Sequence, residues 1–479
     1  MRRVKIVSTI GPATSSTDNL RRLLDAGINV ARLNMSHGTR EWHHTTIQRL
    51  RQLSGDRTIP LPILLDLAGP KIRLGKLPQE GIELAGDQRV SLVARSSQSS
   101  HTLSDLPKCD ELPLELEAFP GKIQSGQVLL IDDGNLILRV ESQEENRLVC
   151  TVSVGGTVTS HKGVNFPGLP LEIPGFTEKD ATDLQFGLDL QVDYVALSFV
   201  RHPRDILSVK TAINRLGDNV PVIAKIERPE AIACLSDILD TADGVMIARG
   251  DLALEMSPEE VPLLQKRIIA LANQQGKPVI TATQMLESMT RNPFPSRAEA
   301  SDIANAVLDG TDAVMLSAET STGRYPIESV QVMDRIIRKT ESESSYGHVE
   351  HPATLPTHFT TPTAICQTAV ALAKKVEAQA IVVFTESGHT AMMLSSNRPT
   401  VPILALTPSQ PVTCRLAIGW GVVPILFPQI DDTDERIRLA QKRLQELGLL
   451  NAGQLVVVVT GERLGSSLGT NLVKVHLVV

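Results

Sequence analysis

The 479-residue sequence has few aromatic residues and no excess of basic ones, and both deficits exclude classes of function. Aromatic side chains make up 3% of the chain, which leaves little material for stacking on nucleic-acid bases. The 47 Lys and Arg residues are outnumbered by 54 Asp and Glu residues, and the net charge is −7. Proteins that hold nucleic acids or membrane surfaces by charge need the opposite balance, so we expect neither kind of partner.

Cysteine is also scarce, and apolar runs are short. The five cysteines include no C-x-x-C pair and are Cys109, Cys150, Cys234, Cys366 and Cys414. An odd number of scattered cysteines is typical of reduced thiols and not of a disulfide framework. No apolar run approaches membrane-spanning length, and Lys5 and Gly11-Pro12 interrupt any secretory segment near residue 1. We therefore expect a cytoplasmic protein.

What the chain does contain is a regular alternation of strand-like and helix-like segments. There are eight apolar runs, and nearly every one ends in or near a polar group: KIVSTI (5–10), NVARLN (29–34), ILLDLAGPKIR (63–73), YVALSFVR (194–201), VIAKIE (222–227), GVMIARGD (244–251), PVITATQM (278–285) and AVMLSAE (313–319). Eight strand-helix units predict a closed (β/α)8 barrel of the α/β class. Active sites of such barrels lie at the carboxyl ends of the strands, where these polar residues are found.

Two other parts of the chain differ in pattern. Residues 71–168 contain short alternating stretches punctuated by Gly, Asp-Gly and Pro, which predict an inserted β-barrel domain able to close over the barrel as a lid. Residues 1–70 and 169–341 then form the catalytic barrel. Residues 342–479 contain five short strand-like runs and helix-like segments, which predict a small doubly wound α/β domain separate from the barrel.

The stretch from Val222 to Glu255 is the most informative one. It places Lys225, Glu227 and Asp251 at the ends of two consecutive strands. Two carboxylates beside a lysine suit a hard divalent cation next to a phosphate, because Mg²⁺ usually takes one or two protein carboxylates and fills its other positions with water and substrate oxygens. The alternative, from these residues alone, is a buried cluster of ion pairs in the core.

The chain resembles the pyruvate kinase family across almost its whole length. The matching segments follow that family's order: NVARLNMSHG, DLAGPKIR, HKGVNFPG, AKIERPEAI, ARGDLALE, TATQMLESM, RAEASDIANAVLDGTDAVMLSAET and GTNLVKVH. The resemblance implies a barrel domain, a mobile inserted β domain and a regulatory C-terminal domain, usually in a homotetramer. It also implies the glycolytic transfer of the phosphoryl group of phosphoenolpyruvate to ADP, giving pyruvate and ATP.

The resemblance further implies roles for individual residues. Glu227 and Asp251 are expected to hold Mg²⁺, with Mn²⁺ as a substitute. The expected catalytic residues are Lys225, Arg32, Thr283 and Ser317, of which Thr283 and Ser317 relay a proton to the enolate. The substrate is expected to contact Arg32, Lys225, Gly250, Asp251 and Thr283. The nucleotide is expected to contact Asn34, Ser36, His37, Arg73 and Lys162. Asp132 and Asp133 could border the nucleotide, although an Asp-Asp-Gly run also predicts a hairpin turn.

One segment departs from the family pattern at the site for a monovalent cation. That site, or its substitute, is expected at Asn34, Ser36, Asp66, Leu67 and Lys71. Many members have Thr and Glu at the last two positions and require K⁺. A fixed ammonium at Lys71 could supply the charge that K⁺ supplies elsewhere, so we expect activity without K⁺.

A second segment suggests regulation. The residues expected to hold an effector phosphate, by resemblance, are Thr385, Ser387, Gly388, His389 and Thr390. Hydroxyl groups and free backbone N–H groups at a helix N-terminus can bind an anion. Glu386 adds a negative charge, which favours a sugar monophosphate or a nucleotide over a bisphosphate. The alternative is a helix-capping loop that binds no effector.

Two other functions remain open at this stage. The first is a Mg²⁺-dependent barrel lyase or mutase acting on pyruvate or phosphoenolpyruvate, although such an enzyme has no need for the β lid, Arg73 or Lys162. The second is a non-catalytic sensor that binds a sugar phosphate through the C-terminal domain. A sensor would tolerate the loss of Lys225, Glu227 or Thr283, yet all three are present.

Overall fold

The structure is a computed structural model that describes residues 1–55, 60–95, 111–116, 119, 121–169, 174–343, 360–461 and 469–479. Cys109 and residues 344–359 of the polar stretch before the last domain lie outside these ranges. Among the described helices, none is both long enough and apolar enough to cross a membrane.

The strands, in chain order, are β1 (Lys5–Thr9), β2 (Val30–Asn34), β3 (Ile63–Leu67), β4 (Ile82–Leu84), β5 (Arg89–Arg95), β6 (Glu111–Glu115), β7 (Val128–Ile131), β8 (Leu136–Glu144), β9 (Arg147–Val154), β10 (Gly156–Val158), β11 (Val164–Asn165), β12 (Tyr194–Leu197), β13 (Val222–Ile226), β14 (Gly244–Ala248), β15 (Val279–Ala282), β16 (Ala313–Leu316), β17 (Ala380–Phe384), β18 (Ile403–Thr407), β19 (Val422–Leu426), β20 (Leu455–Thr460) and β21 (Leu472–Leu477).

The helices are α1 (Thr17–Ala26), α2 (Arg40–Ser54), α3 (Glu178–Asp189), α4 (Pro203–Arg215), α5 (Pro229–Ala233), α6 (Leu235–Thr241), α7 (Arg249–Glu255), α8 (Val261–Gln274), α9 (Arg297–Asp309), α10 (Ala318–Ser321), α11 (Pro326–Glu341), α12 (Thr361–Lys375), α13 (His389–Ser396), α14 (Gln410–Leu416) and α15 (Thr433–Glu446), with a 3₁₀ helix at Glu287–Thr290.

Eight parallel strands form the predicted closed barrel, in the spatial order β1-β16-β15-β14-β13-β12-β3-β2. Side chains alternate between the two faces of each strand, so every strand contributes to two cores. In β13, Val222 and Ala224 pack outward against the surrounding helices, whereas Ile223 belongs to the core inside the barrel. The same alternation directs Lys225 into the barrel, close to the carboxyl end of the strand.

The inserted segment is β-rich, as predicted. Strands β11-β7-β8-β9-β5-β6 form a six-stranded sheet, and β10 pairs with β4 in a two-stranded ribbon. Apolar residues from both form one hydrophobic core that includes Leu92, Leu138 and Phe166. Isolated bridges pair Arg73 with Gly163 and Leu74 with Leu114. The first and last segments of the insertion therefore lie beside each other, next to the barrel.

The C-terminal segment contains the five predicted strands in one sheet of order β19-β18-β17-β20-β21. Helices α12, α13 and α14 contribute to the core on one face of this sheet, and α15 contributes to the core on the other. The two-faced arrangement is that of a doubly wound domain. The last strand, β21, is antiparallel to β20, and the sequence pattern did not indicate its direction.

The C-terminal domain covers the amino end of the barrel. Ile418 packs among the residues that fill the barrel interior, next to Val7 and Tyr194. The Lys5 ammonium donates a hydrogen bond to the Val422 carbonyl over 2.7 Å. Because this end of the barrel is covered, the carboxyl end is the one open to ligands.

Candidate active site at the carboxyl end of the barrel

Four polar side chains meet inside the barrel because each lies two residues beyond an inward-facing apolar residue. They are Arg32, Asp66, Ser198 and Lys225, which follow Val30, Leu64, Ala196 and Ile223. The Lys225 Nζ atom lies 2.7 Å from Ser198 Oγ and 3.3 Å from Asp66 Oδ1. The Ser198 hydroxyl in turn donates to the Leu67 carbonyl over 2.7 Å. Ser198 was not among the residues expected from the sequence.

Asp66 joins the two cations. Its Oδ2 atom accepts a hydrogen bond from Arg32 Nε over 2.6 Å, while Oδ1 faces Lys225. Arg32 Nη1 also donates to Thr9 Oγ1 over 2.8 Å. Burial by itself would raise the pKa of Asp66, but Lys225 and Arg32 together outweigh that effect and lower it. Asp66 therefore stays ionised and holds both cations in place.

Glu227 completes the surroundings of Lys225. Its Oε1 atom lies 3.0 Å from the ammonium, and Oε2 accepts a hydrogen bond from the Phe199 backbone N–H over 2.7 Å. Burial raises the pKa of Glu227, and nearby Asp251 raises it further against the effect of Lys225. Burial lowers the pKa of Lys225, but Asp66 and Glu227 outweigh it, so the net shift is upward. Lys225 is therefore a permanent ammonium.

The two carboxylates fit a divalent cation. Asp251 lies in the first turn of α7, directly after β14, and is close enough to influence the pKa of Glu227. In the described part of the chain, no group of three or more His, Cys, Asp or Glu side chains could hold a metal ion. Two carboxylates are the number that Mg²⁺ commonly takes from a protein, the rest of its ligands being water and substrate oxygens.

The loop after β15 is held in an unusual conformation next to α7. Thr283 has a φ of 69°, in the left-handed region that non-glycine residues rarely adopt. Its Oγ1 atom accepts a hydrogen bond from Gly250 N over 2.7 Å, and its carbonyl accepts one from Arg249 Nη2 over 2.7 Å. These bonds fix the Thr283 hydroxyl against the start of α7.

Ser317 follows β16, the strand next to β15 in the barrel. Its hydroxyl is buried and has no hydrogen-bond partner among the described residues. Its backbone N–H donates to Glu319 Oε2 over 2.7 Å, and Glu319 Oε1 accepts from Leu286 N over 2.9 Å. Glu319, which the sequence did not single out, therefore fixes the backbone and leaves the Ser317 hydroxyl available.

Comparison with known proteins agrees with this geometry. A family model described as "Pyruvate kinase, barrel domain" matches residues 1–330, and one described as "Pyruvate kinase, alpha/beta domain" matches residues 363–476. Pyruvate kinase 2 of Synechocystis is 44% identical over all of this chain and 79% of its own length. Pyruvate kinase of Mycobacterium tuberculosis is 43% identical over 99% of this chain and 98% of its own length. The chain belongs to the pyruvate kinase family. It is accordingly a phosphotransferase.

In this member of the family, basic residues of the insertion face the barrel opening. Lys71 Nζ lies 3.4 Å from Asp251 Oδ1 and 3.8 Å from Asp133 Oδ1. Lys162 Nζ lies 2.7 Å from Asp132 Oδ1. Asp132 and Asp133 form the predicted hairpin turn between β7 and β8, with φ values of 55° and 54°. The sequence did not indicate that these two carboxylates bind the two lysines.

The remaining residues expected at the nucleotide and monovalent-cation sites lie nearby. Asn34 Oδ1 accepts a hydrogen bond from Ser36 N over 3.1 Å. Burial lowers the pKa of His37, and Arg73, Arg32 and Lys71 lower it further, so His37 lies in the field of all three cations. Arg73 Nη1 donates to the His161 carbonyl over 3.0 Å.

Leu67 stands where many family members have Thr, and its side chain points away from the polar residues of the site. Its side chain is fully buried in the core between the barrel and the surrounding helices. Only its carbonyl, which accepts from Ser198, faces the site. The alternation along β3 explains this, because Asp66 points inward and the next residue must point outward. The side chain at position 67 therefore supplies no ligand to the site.

The proposed effector loop follows β17 in the C-terminal domain. Gly388, with a φ of 88°, precedes α13, and its N–H donates to Thr385 Oγ1 over 3.0 Å. His389 N donates to Ser387 Oγ over 3.4 Å, and the Thr390 and Thr470 hydroxyls lie 2.7 Å apart. These hydroxyls are grouped at the start of a helix, as expected from the sequence.

Arg436 lies at the same edge of the C-terminal sheet and was missed by sequence reasoning. It is 1% exposed and lies over the Phe384 ring at 5.0 Å. Its Nη2 atom donates to the Gly461 carbonyl over 3.2 Å, but Nε and Nη1 have no hydrogen-bond partner among the described residues. Its position on the inward face of the amphipathic helix α15 was the available signal.

Proposed function

We propose that this chain is a Mg²⁺-dependent pyruvate kinase that transfers the phosphoryl group of phosphoenolpyruvate to ADP, forming pyruvate and ATP in glycolysis. The observation that carries the proposal is the Lys225 ammonium, held by Ser198, Asp66 and Glu227 at the open end of the barrel. The reaction needs positive charge aligned with the oxygens of a migrating phosphoryl group, and this cluster supplies it.

Glu227 and Asp251 are the residues that would hold the metal. When bound, Mg²⁺ or Mn²⁺ neutralises negative charge on the carboxylate and phosphoryl oxygens of the substrate. The backbone around Gly250 and Asp251, together with Thr283, is proposed to contact the substrate carboxylate.

Arg32 and Lys225 would bind the phosphoryl group itself. Arg32 donates through Nε and Nη1 to Asp66 and Thr9, which leaves Nη2 without a described partner and free for a phosphoryl oxygen. Each such donor stabilises a transition state by about 3–4 kcal/mol in other enzymes. The bond from phosphorus to the enol oxygen breaks as the bond to a terminal oxygen of ADP forms, and Lys225 stabilises the enolate that remains.

The enolate then takes a proton at its methylene carbon to give pyruvate. The Thr283 and Ser317 hydroxyls follow two neighbouring strands of the barrel, β15 and β16, and are proposed to relay that proton from solvent. The unpaired Ser317 hydroxyl supports this role, because a relay needs a group whose hydrogen bond is not already committed.

The insertion would close over the nucleotide. Arg73 and Lys162 are proposed to bind its phosphates, with Asn34, Ser36 and His37 lining the same side of the opening. Lys162 pairs with Asp132 in this structure. When the nucleotide binds, Lys162 would therefore leave the Asp132 carboxylate and pair with a phosphate of the nucleotide.

Lys71 is proposed to replace K⁺. Its ammonium lies 3.4 Å from Asp251 Oδ1 at the edge of the site. Assays in tetramethylammonium salts, with and without K⁺, test the proposal: equal rates are expected, and strong dependence on K⁺ would refute it.

A sugar monophosphate or a nucleotide is the effector that we propose for the loop Thr385–Thr390. Arg436, which packs over Phe384 just before the loop, is proposed to contribute to the same site, because its Nε and Nη1 atoms have no described partner and such donors suit a phosphate. A screen of phosphorylated metabolites, repeated with Arg436→Met, is the test. We expect a metabolite that activates or inhibits the natural protein to have no effect on the variant.

The protein is proposed to act as a cytoplasmic homotetramer, and analytical ultracentrifugation can check the number of subunits.

Pyruvate formation from phosphoenolpyruvate is the decisive assay for the reaction itself. We expect it to require ADP and to fall about 10²–10³-fold in Lys225→Met. Turnover without ADP would favour a lyase or mutase, and binding of sugar phosphate without turnover would favour a sensor. Membership of the pyruvate kinase family and the cluster of Lys225 with Ser198, Asp66 and Glu227 at the barrel opening support the kinase over both.

A further inference from the structure

The two carboxylates proposed to bind metal lie on separate segments that a buried ion pair joins. Glu227 follows β13 and Asp251 lies in α7. Arg228, directly after Glu227, has its Nη1 atom 2.7 Å from Oε1 of Glu255, the last residue of α7, and these side chains are 5% and 1% exposed. Asp251 and Glu255 are one helical turn apart, so they share a face of α7. The ion pair therefore connects one carboxylate segment to the other.

The insertion is attached to the same pair. Asn165 in β11 donates from Nδ2 to Glu255 Oε1 over 3.1 Å. Arg228 Nη2 donates to the Leu169 carbonyl, just after the insertion, over 3.1 Å, and lies 3.5 Å from Glu230 Oε1. Both ends of α7 therefore contact residues of the insertion, since Asp251 also faces Lys71.

We propose that Arg228 and Glu255 are positioning residues that fix the separation between Glu227 and Asp251, and that Asn165 couples the position of the insertion to that separation. The inference rests on the proposed function, because it takes the two carboxylates as metal ligands. Its consequence is reciprocal: if the position of the insertion alters metal affinity, metal binding must alter the position of the insertion by the same free energy.

The ion pair is suited to this role because it is buried. Removing one member leaves an uncompensated charge in the interior, so the two segments are not free to separate as they would be at the surface. The planar guanidinium of Arg228 donates in fixed directions, which lets one side chain hold α7 and Leu169 together. Groups that support metal ligands without touching the metal commonly change metal affinity about 10–100-fold when they are replaced.

The test is Mn²⁺ binding to the full-length protein without substrates, measured by electron paramagnetic resonance of free Mn²⁺. We expect Arg228→Met and Glu255→Gln each to weaken binding about 10–100-fold. The double variant should be no weaker than the worse single one, because the two residues act as a unit. If Arg228→Met does not fold, Glu255→Gln, which keeps the size of the side chain and an acceptor oxygen, and Asn165→Ala carry the test.

A matched control comes from the other end of the barrel. Arg398 and Asp312 form a largely buried ion pair at 2.8 Å, with side chains 11% and 4% exposed, that joins the barrel to the C-terminal domain. Arg398→Met should lower the melting temperature without changing Mn²⁺ affinity. Unchanged Mn²⁺ affinity in folded Arg228→Met or Glu255→Gln, or equal weakening in Arg398→Met, would overturn the inference. Mn²⁺ binding that Glu227→Gln does not weaken would overturn the proposed metal site instead.

Amide hydrogen exchange tests the coupling to the insertion. Mn²⁺ should slow exchange in β11 of the natural protein and should have no such effect in Asn165→Ala. Exchange in β11 that Mn²⁺ leaves unchanged in the natural protein would refute the role of Asn165.

Discussion

The two ends of the barrel each contain a buried lysine, and the two lysines have opposite electrostatics. At the carboxyl end, Lys225 lies 3.3 Å from Asp66 and 3.0 Å from Glu227, and these carboxylates raise its pKa in spite of its burial. At the amino end, Lys5 donates to the neutral Val422 carbonyl. Burial lowers the pKa of Lys5 to about 7, and Glu341 and Asp312 compensate only in part.

The comparison shows that burial alone does not decide whether a lysine is charged. Both side chains point into the same barrel, and both are shielded from solvent. The difference is that the strands next to Lys225 carry carboxylates in hydrogen-bonding positions, whereas the element above Lys5 is the C-terminal domain, which offers a carbonyl. A permanent cation suits phosphoryl transfer, and a weakly charged amine suits a joint between domains.

The largest effect is expected when the carboxylate shared by the two cations of the site is removed. Asp66→Asn leaves Arg32 and Lys225 buried without their common partner, so we expect the free energy of unfolding to fall by about 3–5 kcal/mol. Urea unfolding measures the loss. Glu343→Gln, which affects an exposed pair with Lys339, is the control and should cost less than about 1 kcal/mol. Equal losses would contradict the importance of Asp66.

Separate replacement of Lys225 and Lys5 distinguishes a loss of catalysis from a loss of structure. Lys225→Met should reduce turnover by about 10²–10³, the effect of losing one transition-state donor worth about 3–4 kcal/mol. Lys5→Met should leave turnover close to that of the natural protein, since Lys5 lies at the covered end of the barrel. Steady-state assays at saturating substrate compare the two. A similar loss in both variants would show that the assay reports folding and not chemistry.

The pH dependence of stability should distinguish the same two lysines. The pKa of Lys5 is about 7 in the folded protein and near 10.5 when unfolded. At pH values between these two pKa values, the unfolded chain binds one more proton at Lys5 than the folded protein does, so the free energy of unfolding rises with pH. Below about pH 7 Lys5 is protonated in both states and no longer makes the free energy of unfolding depend on pH. Relative to Lys5→Met, we expect the natural protein to gain about 2–4 kcal/mol from pH 7 to pH 10. Parallel unfolding curves for the two proteins would refute this.

A third lysine, Lys71, lies at the edge of the site, and its replacement should give the smallest effect. The Lys71 side chain is 22% exposed and lies 3.4 Å from Asp251. If it replaces K⁺, Lys71→Met should lower turnover about tenfold in tetramethylammonium salts, equivalent to about 1.4 kcal/mol, and K⁺ should restore part of the loss. Lys76→Met, elsewhere in the insertion, is the control and should leave turnover unchanged. No change in Lys71→Met would leave the cation role of Lys71 without support.

Much of the site could be predicted because strand periodicity is a local property. The alternation in β2, β3 and β13 requires Arg32, Asp66 and Lys225 to face the same side as the apolar residue two positions before. Barrel closure then brings their carboxyl ends together. Leu67 shows the limit of motif comparison. The motif places this position at the cation site, but the alternation of side chains along β3 directs the Leu67 side chain into the core outside the barrel.

Other partners could not be predicted because they depend on contacts between distant parts of the chain. Ser198 contacts Lys225 only because β12 and β13 are neighbours in the closed barrel. Asp132 and Asp133 meet Lys162 and Lys71 only because the turn between β7 and β8 lies against the entry and exit of the insertion. No spacing rule in the sequence relates these pairs.

The sequence by itself determined the eight strand-helix units, the β-rich insertion, the five strands of the last domain and the family, because each follows from local periodicity or from continuous motifs. Only the tertiary structure decided which charges neutralise one another. That choice made Lys225 a fixed cation and Lys5 a titrating amine, and it joined Arg228 to Glu255. The physical reason is that the energy of a buried charge depends on atoms within a few ångströms, and folding, not sequence proximity, selects those atoms.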